Sequence, residues 1–269
     1  MLKIGILGVG AIGSTIALAL DRKQVDAELV ALADQDRARA EALSAELSTH
    51  PAVISMEEMI ERADLAVEAA SQAALGEFVP RALRCRRDML ILSVGGLLGQ
   101  EAWLREAREK GCRIYVPSGA IGGLDGIKSA SLGRIKSALL TSRKPVAALT
   151  GSKYVVERNL ALAAFTEDTV IFEGLAEEAA RAFPATSNVA ASLRLALDPA
   201  SPVPVRVRII AVPGGTENVH EIRVEGEFGR LTVKVENVPS STNPRTSQLA
   251  AFSAIATLKN LTRSLRIGT

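Results

Sequence analysis

Two histidines occur among the 269 residues, and only His220 stands where an imidazole could usefully move protons. It falls in "TENVHEIRVEGEFGRLTVKVEN", which reads as two alternating, β-branched strands with a polar approach. A ring that is neutral near physiological pH suits proton transfer, although a lone histidine on a strand also serves as a plain structural residue. Alternation puts Glu221 on the opposite face, so the group that orients the ring must come from elsewhere. His50, in "STHPAV", belongs to a surface connection. Cys85 and Cys112 form no CxxC pair and have no neighbouring histidine, so they read as reduced thiols, and no metal site is expected.

A second chemical constellation opens the chain. Gly8, Gly10 and Gly13 form GxGxxG, with Ala11 and Ile12 inside the motif, between a strand from Leu2 to Leu7 and a helix from about Ala11 to Leu20. Gly8 permits the tight turn, Gly10 leaves the backbone open to a pyrophosphate, and Gly13 lets the helix approach the sheet, whose N-terminal N–H groups then face the anion. Asp34 ends the next strand, "AELVALAD", 21 residues beyond Gly13, where a carboxylate accepts hydrogen bonds from the ribose hydroxyls. A glycine-rich turn without a ligand is the plain alternative. Asp34 favours NAD over NADP by repelling a 2′-phosphate, and Arg37 and Arg39 partly offset that repulsion.

The elements that must position these groups alternate strand and helix as far as "CRIYVPSGA". Ser55 is a candidate N-cap, Pro80 marks a kink or break, and "DMLILSVGGL" reads as a strand ending at Gly95 and Gly96. The pattern predicts an α/β fold: a Rossmann-type, doubly wound parallel sheet with ligands beyond the carboxyl ends of its strands, near Ala69, Ala70, Ser93, Ser118 and Ala120. A glycine-rich loop from Gly119 to Gly126 leads into a segment that starts like a helix, and after "SGAIGGLDGIKSASLG" the texture changes to mostly alternating strands interrupted by two helices, one capped by Ser187 or Asn188, which predicts a second, α+β domain. The expected organisation is a dinucleotide domain over 1–120, a substrate and catalytic domain over 121–244, and a final helix within about 245–269 that packs back on the first.

Composition narrows the class. Apolar residues make up 48% and charged residues 23%, enough for a well-buried core. Lys plus Arg number 32 against 30 for Asp plus Glu, with no basic run, so no nucleic-acid partner is expected. The apolar N-terminus is broken by glycines and precedes no cleavage site. It reads as strand, turn and helix, and a cytoplasmic protein without a membrane span is expected.

The motifs "PSGAIGGLDG", "FPATSNVAASL", "NVHEIRVEGEFG" and "NPRTSQLAAFSA", with the N-terminal "GVGAIG" and "VEAAS", resemble the L-aspartate dehydrogenase family from Lys3 to about Leu261. The resemblance implies reversible, NAD(P)-dependent oxidative deamination of L-aspartate through iminosuccinate to oxaloacetate and ammonia, with the imine available to NAD biosynthesis. It also implies cofactor contacts at Ala120 and Asn188 and a catalytic role for His220. A dicarboxylic amino acid needs cations and N–H or hydroxyl donors. Lys144, Arg143 and Arg245 are the candidate cations, with Ser118, Asn243, Thr246 and Ser247 as polar partners. Lys144 before Pro145 also reads as a solvated turn residue, and "NPRTS" as the N-terminal signal of the last helix. The rivals are a two-domain dehydrogenase for a related amino acid or semialdehyde and a non-catalytic dinucleotide sensor. No paired histidines point to a dihydrodipicolinate reductase. Strands with exposed edges make a homodimer the expected assembly.

Overall fold

The computed structural model describes residues 1–184, 187–198, 201–238 and 247–268, and divides into two compact units. The first comprises Met1–Pro117 and Ala251–Arg266, the second Ser118–Ala250 and Ile267–Thr269.

In the first unit six strands form one parallel sheet: β1 (Leu2–Leu7), β2 (Ala27–Ala33), β3 (Ala52–Val53), β4 (Leu65–Glu68), β5 (Asp88–Ile91) and β6 (Ile114–Tyr115). Their order is β3-β2-β1-β4-β5-β6. It reverses between β1 and β4, the switch point at which doubly wound sheets bind ligands. Central strands buried on both faces must be apolar throughout, and Ile4, Ile6, Leu65, Ala66 and Val67 are almost wholly buried. The connecting helices are α1 (Ala11–Asp21), α2 (Arg37–Glu46), α3 (Met56–Arg62), α4 (Leu75–Arg84) and α5 (Glu101–Lys110). Ser55 caps α3 in a reciprocal capping box with Glu58.

Two local readings change. Pro80 lies inside α4 without ending it, because Leu75, Phe78, Val79, Ala82 and Leu83 bury one face of that helix and outweigh one lost backbone bond. The strand expected to reach Gly95 stops at Ile91, and Val94–Leu97 forms a 3₁₀ turn instead.

The second unit carries α6 (Leu124–Ala130), β7 (Ile135–Pro145), α7 (Val146–Leu149), α8 (Lys153–Glu157), β8 (Thr169–Leu175), α9 (Ala176–Ala182), α10 (Asn188–Ala196), β9 (Val205–Val212), β10 (Asn218–Gly226) and β11 (Gly229–Asn237). Its sheet has the order β11-β10-β7-β9-β8, with β7 and β9 parallel and the other pairs antiparallel. One face packs Leu140, Ile222, Val224 and Val207 against Ile127, Ala179 and Leu193 of the helices. The other face carries exposed Arg206, Arg208, Arg223 and Lys234, with ion pairs such as Arg208–Glu173 and Lys234–Glu236. The alternation of these strands thus separates a helix-covered apolar face from a charged one. The last helix, α11 (Gln248–Thr262), adds Ala254, Ile255 and Leu258 to the core of the first unit.

Candidate active site

The first group of candidate residues gathers at the carboxyl end of the parallel sheet. Each motif glycine has its own physical reason. Gly8 has φ +90°, and a Cβ there would lie 2.6 Å from the Ala69 carbonyl oxygen. At Gly13 a Cβ would sit 1.9 Å from the Gly8 carbonyl oxygen, so α1 touches the turn through bare backbone. A Cβ at Gly10 would meet no protein atom within 4 Å. The protein itself does not require Gly10, and a phosphate approaching the N-terminus of α1 would. No side chain caps that terminus.

Gly8, Gly10, Asp34, Arg39, Ala69 and Ala70 line a cavity of about 220 Å³. Asp34 Oδ2 accepts from Val9 N at 2.7 Å and Oδ1 from Asp36 N at 2.9 Å. The carboxylate thereby ties the glycine loop to the end of β2, and keeps lone pairs for further donors. Arg39 pairs with Asp36 at 3.3 Å, whereas Arg37 turns along its helix to Glu41. Ala11 begins α1 and its carbonyl accepts from Thr15 Oγ1 at 2.7 Å. Ile12 packs against the core beside the cavity-forming turn. These residues fit a dinucleotide: a bare turn, an open helix N-terminus and an acid at the end of β2.

Sequence reasoning missed Glu68. It is fully buried at the end of β4, and accepts from Ala70 N at 2.8 Å, Ser93 N at 3.0 Å and Ser93 Oγ at 2.7 Å. Burial pushes its pKa up, and the Ser93 and Ala70 donors oppose the shift. Glu68 fastens the loop carrying Ala69 and Ala70 to the loop after β5. The available signal was an acid closing "LAVE", a strand otherwise apolar.

The second group lies on the core face of the mixed sheet. His220 is 3% exposed, and its Nδ1 lies 2.9 Å from Ser142 Oγ of β7, in hydrogen bond. The register pairs the two residues directly. Ser142 is the orienting group that the sequence left unidentified. Among the described residues nothing bonds to Nε2. Lys144 follows two residues after Ser142 on the same strand and face, and is 5% exposed. The alternative reading of Lys144 as a solvated turn residue does not hold: β7 continues through Pro145, and alternation carries the lysine inward. Burial lowers the Lys144 pKa to about 8. Burial and then the Lys144 charge lower that of His220 to about 3. The imidazole is therefore neutral across the physiological range.

Arg143 points to the other face, where it is half-exposed and paired with Asp168. Ala120 accepts from Asn237 Nδ2 at 2.9 Å, and Asn237 Oδ1 accepts from Ser247 Oγ at 2.6 Å. Ser247 Oγ also accepts from Leu249 N at 3.1 Å, so it does mark the start of α11. Ser118 opens the second unit, half-buried, and its carbonyl accepts from Ile121 N. Asn188 begins α10 and is half-buried, while the Ser187 hydroxyl donates back to Phe183 O and provides no side-chain cap. Asn243, Arg245 and Thr246 lie outside the described residues. No three of His, Cys, Asp and Glu gather as metal ligands would, and no helix is long and apolar enough to cross a membrane, among the described residues.

Residues 125–261 match the family model described as aspartate dehydrogenase, C-terminal, and residues 8–117 that described as homoserine dehydrogenase, NAD binding domain. An L-aspartate dehydrogenase of Methanosarcina mazei is 48% identical over 275 residues, covering 100% of both chains. The chain belongs to the L-aspartate dehydrogenase family. Another relative of that name, from Bradyrhizobium diazoefficiens, is 38% identical over 100% of this chain and 94% of its own. The solved aspartate dehydrogenase of Thermotoga maritima superposes with a TM-score of 0.76 at 26% identity, over 100% of each chain. A putative myo-inositol dehydrogenase from Sinorhizobium meliloti, at 17% identity and TM-score 0.53 over 97% of this chain and 87% of its own, shares the fold alone. The doubly wound sheet and second mixed-sheet domain expected from the sequence are those of this family, and the first unit is its NAD(P)-binding domain.

Proposed function

We propose that the chain catalyses NAD(P)-dependent oxidative deamination of L-aspartate to iminosuccinate, which water converts to oxaloacetate and ammonia, with His220 as the acid–base group. The observation that carries this reading is His220 itself: buried, and held at Nδ1 by Ser142. With Nδ1–H donated to the Ser142 hydroxyl, the lone pair of the ring sits on Nε2. That nitrogen takes a proton from the substrate amine as the C2–H bond breaks with its electron pair and C2=N forms. The bound NAD(P)⁺ supplies the acceptor for that hydride. The protonated ring then returns that proton to the imine nitrogen, and the regenerated neutral imidazole accepts one from the water that adds to the imine carbon.

The cofactor side rests on the glycine turn, on Asp34, and on Ala11, Ile12, Ala69, Ala70, Ala120 and Asn188 as its contacts. We propose NAD as the preferred form, with Asp34 disfavouring a 2′-phosphate. The reading carries with it a cytoplasmic homodimer, the cytoplasmic part consistent with the free thiols of Cys85 and Cys112. It also carries supply of the imine to NAD biosynthesis.

The test is NADH formation with aspartate, glutamate, homoserine and alanine in parallel. Turnover of aspartate alone is expected; cofactor binding without turnover of any amine would leave a sensor. His220→Ala should lower kcat by about 10² or more with NAD affinity retained. An unchanged kcat removes His220 from the mechanism.

A further inference from the structure

Four polar side chains occupy one end of the core face of the mixed sheet. Strand β7 supplies Ser142 and Lys144, β10 supplies Asn218 and His220, and none is more than 5% exposed. The antiparallel register sets His220 opposite Ser142 and Val219 opposite Arg143. One further step along that ladder brings Asn218 opposite Lys144.

The two rungs differ in how well they are satisfied. His220 and Ser142 bond to each other at 2.9 Å. On the other rung Asn218 Oδ1 is buried and has no donor. Among the described residues no carboxylate or hydrogen-bond acceptor meets the Lys144 ammonium. Both features are unfavourable in a core, because a buried charge wants its counter-charge and a buried amide oxygen wants an N–H. A ligand that relieves both must bring an anion and an N–H donor close together. The α-amino-acid group does so, its carboxylate and amine sharing one carbon. Directly opposed residues on an antiparallel pair have Cα atoms about 4.5–5.5 Å apart, a span suited to that group.

We propose that Lys144 and Asn218 form the receptor for the α-amino-acid group of the substrate. Lys144 Nζ donates to the α-carboxylate, and Asn218 Oδ1 accepts one amine N–H, which presents the nitrogen to His220 on the adjoining rung. The proposal rests on the reading of this chain as an amino-acid oxidoreductase. Lys144 and Asn218 act here by positioning, and His220 by moving the proton. The lowered pKa of Lys144 agrees with an ammonium that lacks its anion in the free protein.

Succinate keeps the carboxylates of aspartate and lacks its amine, so two substitutions separate the roles. Binding of each compound to the NAD-loaded enzyme is measured by calorimetric titration, with KM for aspartate alongside. Lys144→Met should weaken both aspartate and succinate by about 100-fold with NAD binding unchanged, and Lys144→Arg should recover part of the loss. Asn218→Ala should weaken aspartate by about tenfold and leave succinate within about twofold. Because Lys144→Met removes an uncompensated buried charge, it should raise the urea midpoint of the ligand-free protein, whereas a lysine serving only the fold would give a lower one. Unchanged affinity for both compounds in Lys144→Met, or equal losses of both in Asn218→Ala, overturns the receptor. Absence of aspartate turnover in the wild type, with succinate binding still dependent on Lys144, would sink the proposed reaction and leave the anion site standing.

Discussion

In the parallel sheet the groups that would meet a ligand are backbone N–H donors and bare glycine Cα atoms at the end of β1, fixed by carboxylates on neighbouring strands. In the mixed sheet they are side chains on two adjacent strands, Ser142 and Lys144 beside Asn218 and His220. The first arrangement depends on the absence of atoms: a side chain added at Gly8 or Gly13 collides with main chain, and one at Gly10 would fill space the protein itself leaves open. The second depends on atoms that are present, and a substitution there can retain the fold while removing the chemistry. A dinucleotide is large and carries its own reactivity, so the protein need only shape a cradle. A small amino acid, the proposed substrate, offers few handles, so on that reading individual side chains would have to hold it and move its proton.

The contrast can be broken most sharply at Gly13. Gly13→Val places a branched side chain where even a Cβ would lie 1.9 Å from the Gly8 carbonyl. It should destabilise the protein by more than about 4 kcal/mol and abolish NAD binding, read by thermal unfolding and by cofactor titration. Glu68→Ala is next, because it strips one acceptor from three donors in a dry site. A loss of about 3 kcal/mol with weakened NAD binding is expected from urea titration; a neutral result would show that Glu68 does not hold the two loops.

A pH series sharpens the comparison from the other side. The His220 pKa falls from 6.5 to about 3 on folding, so the unfolded chain binds the extra proton between those values. Stability should fall as pH drops below 6.5, by up to about 1.4 kcal/mol per pH unit from this residue, and His220→Gln should flatten that slope. The smallest effect is expected at the rim of the cradle. Asp34→Ser should raise the kcat/KM ratio of NADP to NAD by about tenfold, with Arg39 in the same cavity available to the 2′-phosphate.

The cradle was legible because its causes are local: Gly8 and Gly13 touch each other across one turn, and Asp34 closes an evident strand. Glu68 was not, since its meaning depends on Ser93, which reaches it only through the pairing of β4 with β5. Ser142 and Asn218 escaped for the same reason. Ser142 is 78 residues from the ring it bonds, and only the register of β7 on β10 joins them. Lys144 was named as a cation, but the following proline suggested a turn. The better guide was the period-two run Leu140, Ser142, Lys144, which carries the lysine to the core face. Arg143, one residue away, falls on the outside by that same count and is taken by Asp168.

The nearness of Lys144 to His220 has a temporal consequence. Burial first, and the field of the uncompensated ammonium second, suppress the ring's appetite for protons. On the proposed reading, an incoming carboxylate would offset the second of these causes and leave the first, so the imidazole would regain part of its basicity when an amine arrives. A proposed substrate bearing a carboxylate would thus help prepare the ring that receives its proton, whereas an amine without one would meet the ring at its least basic.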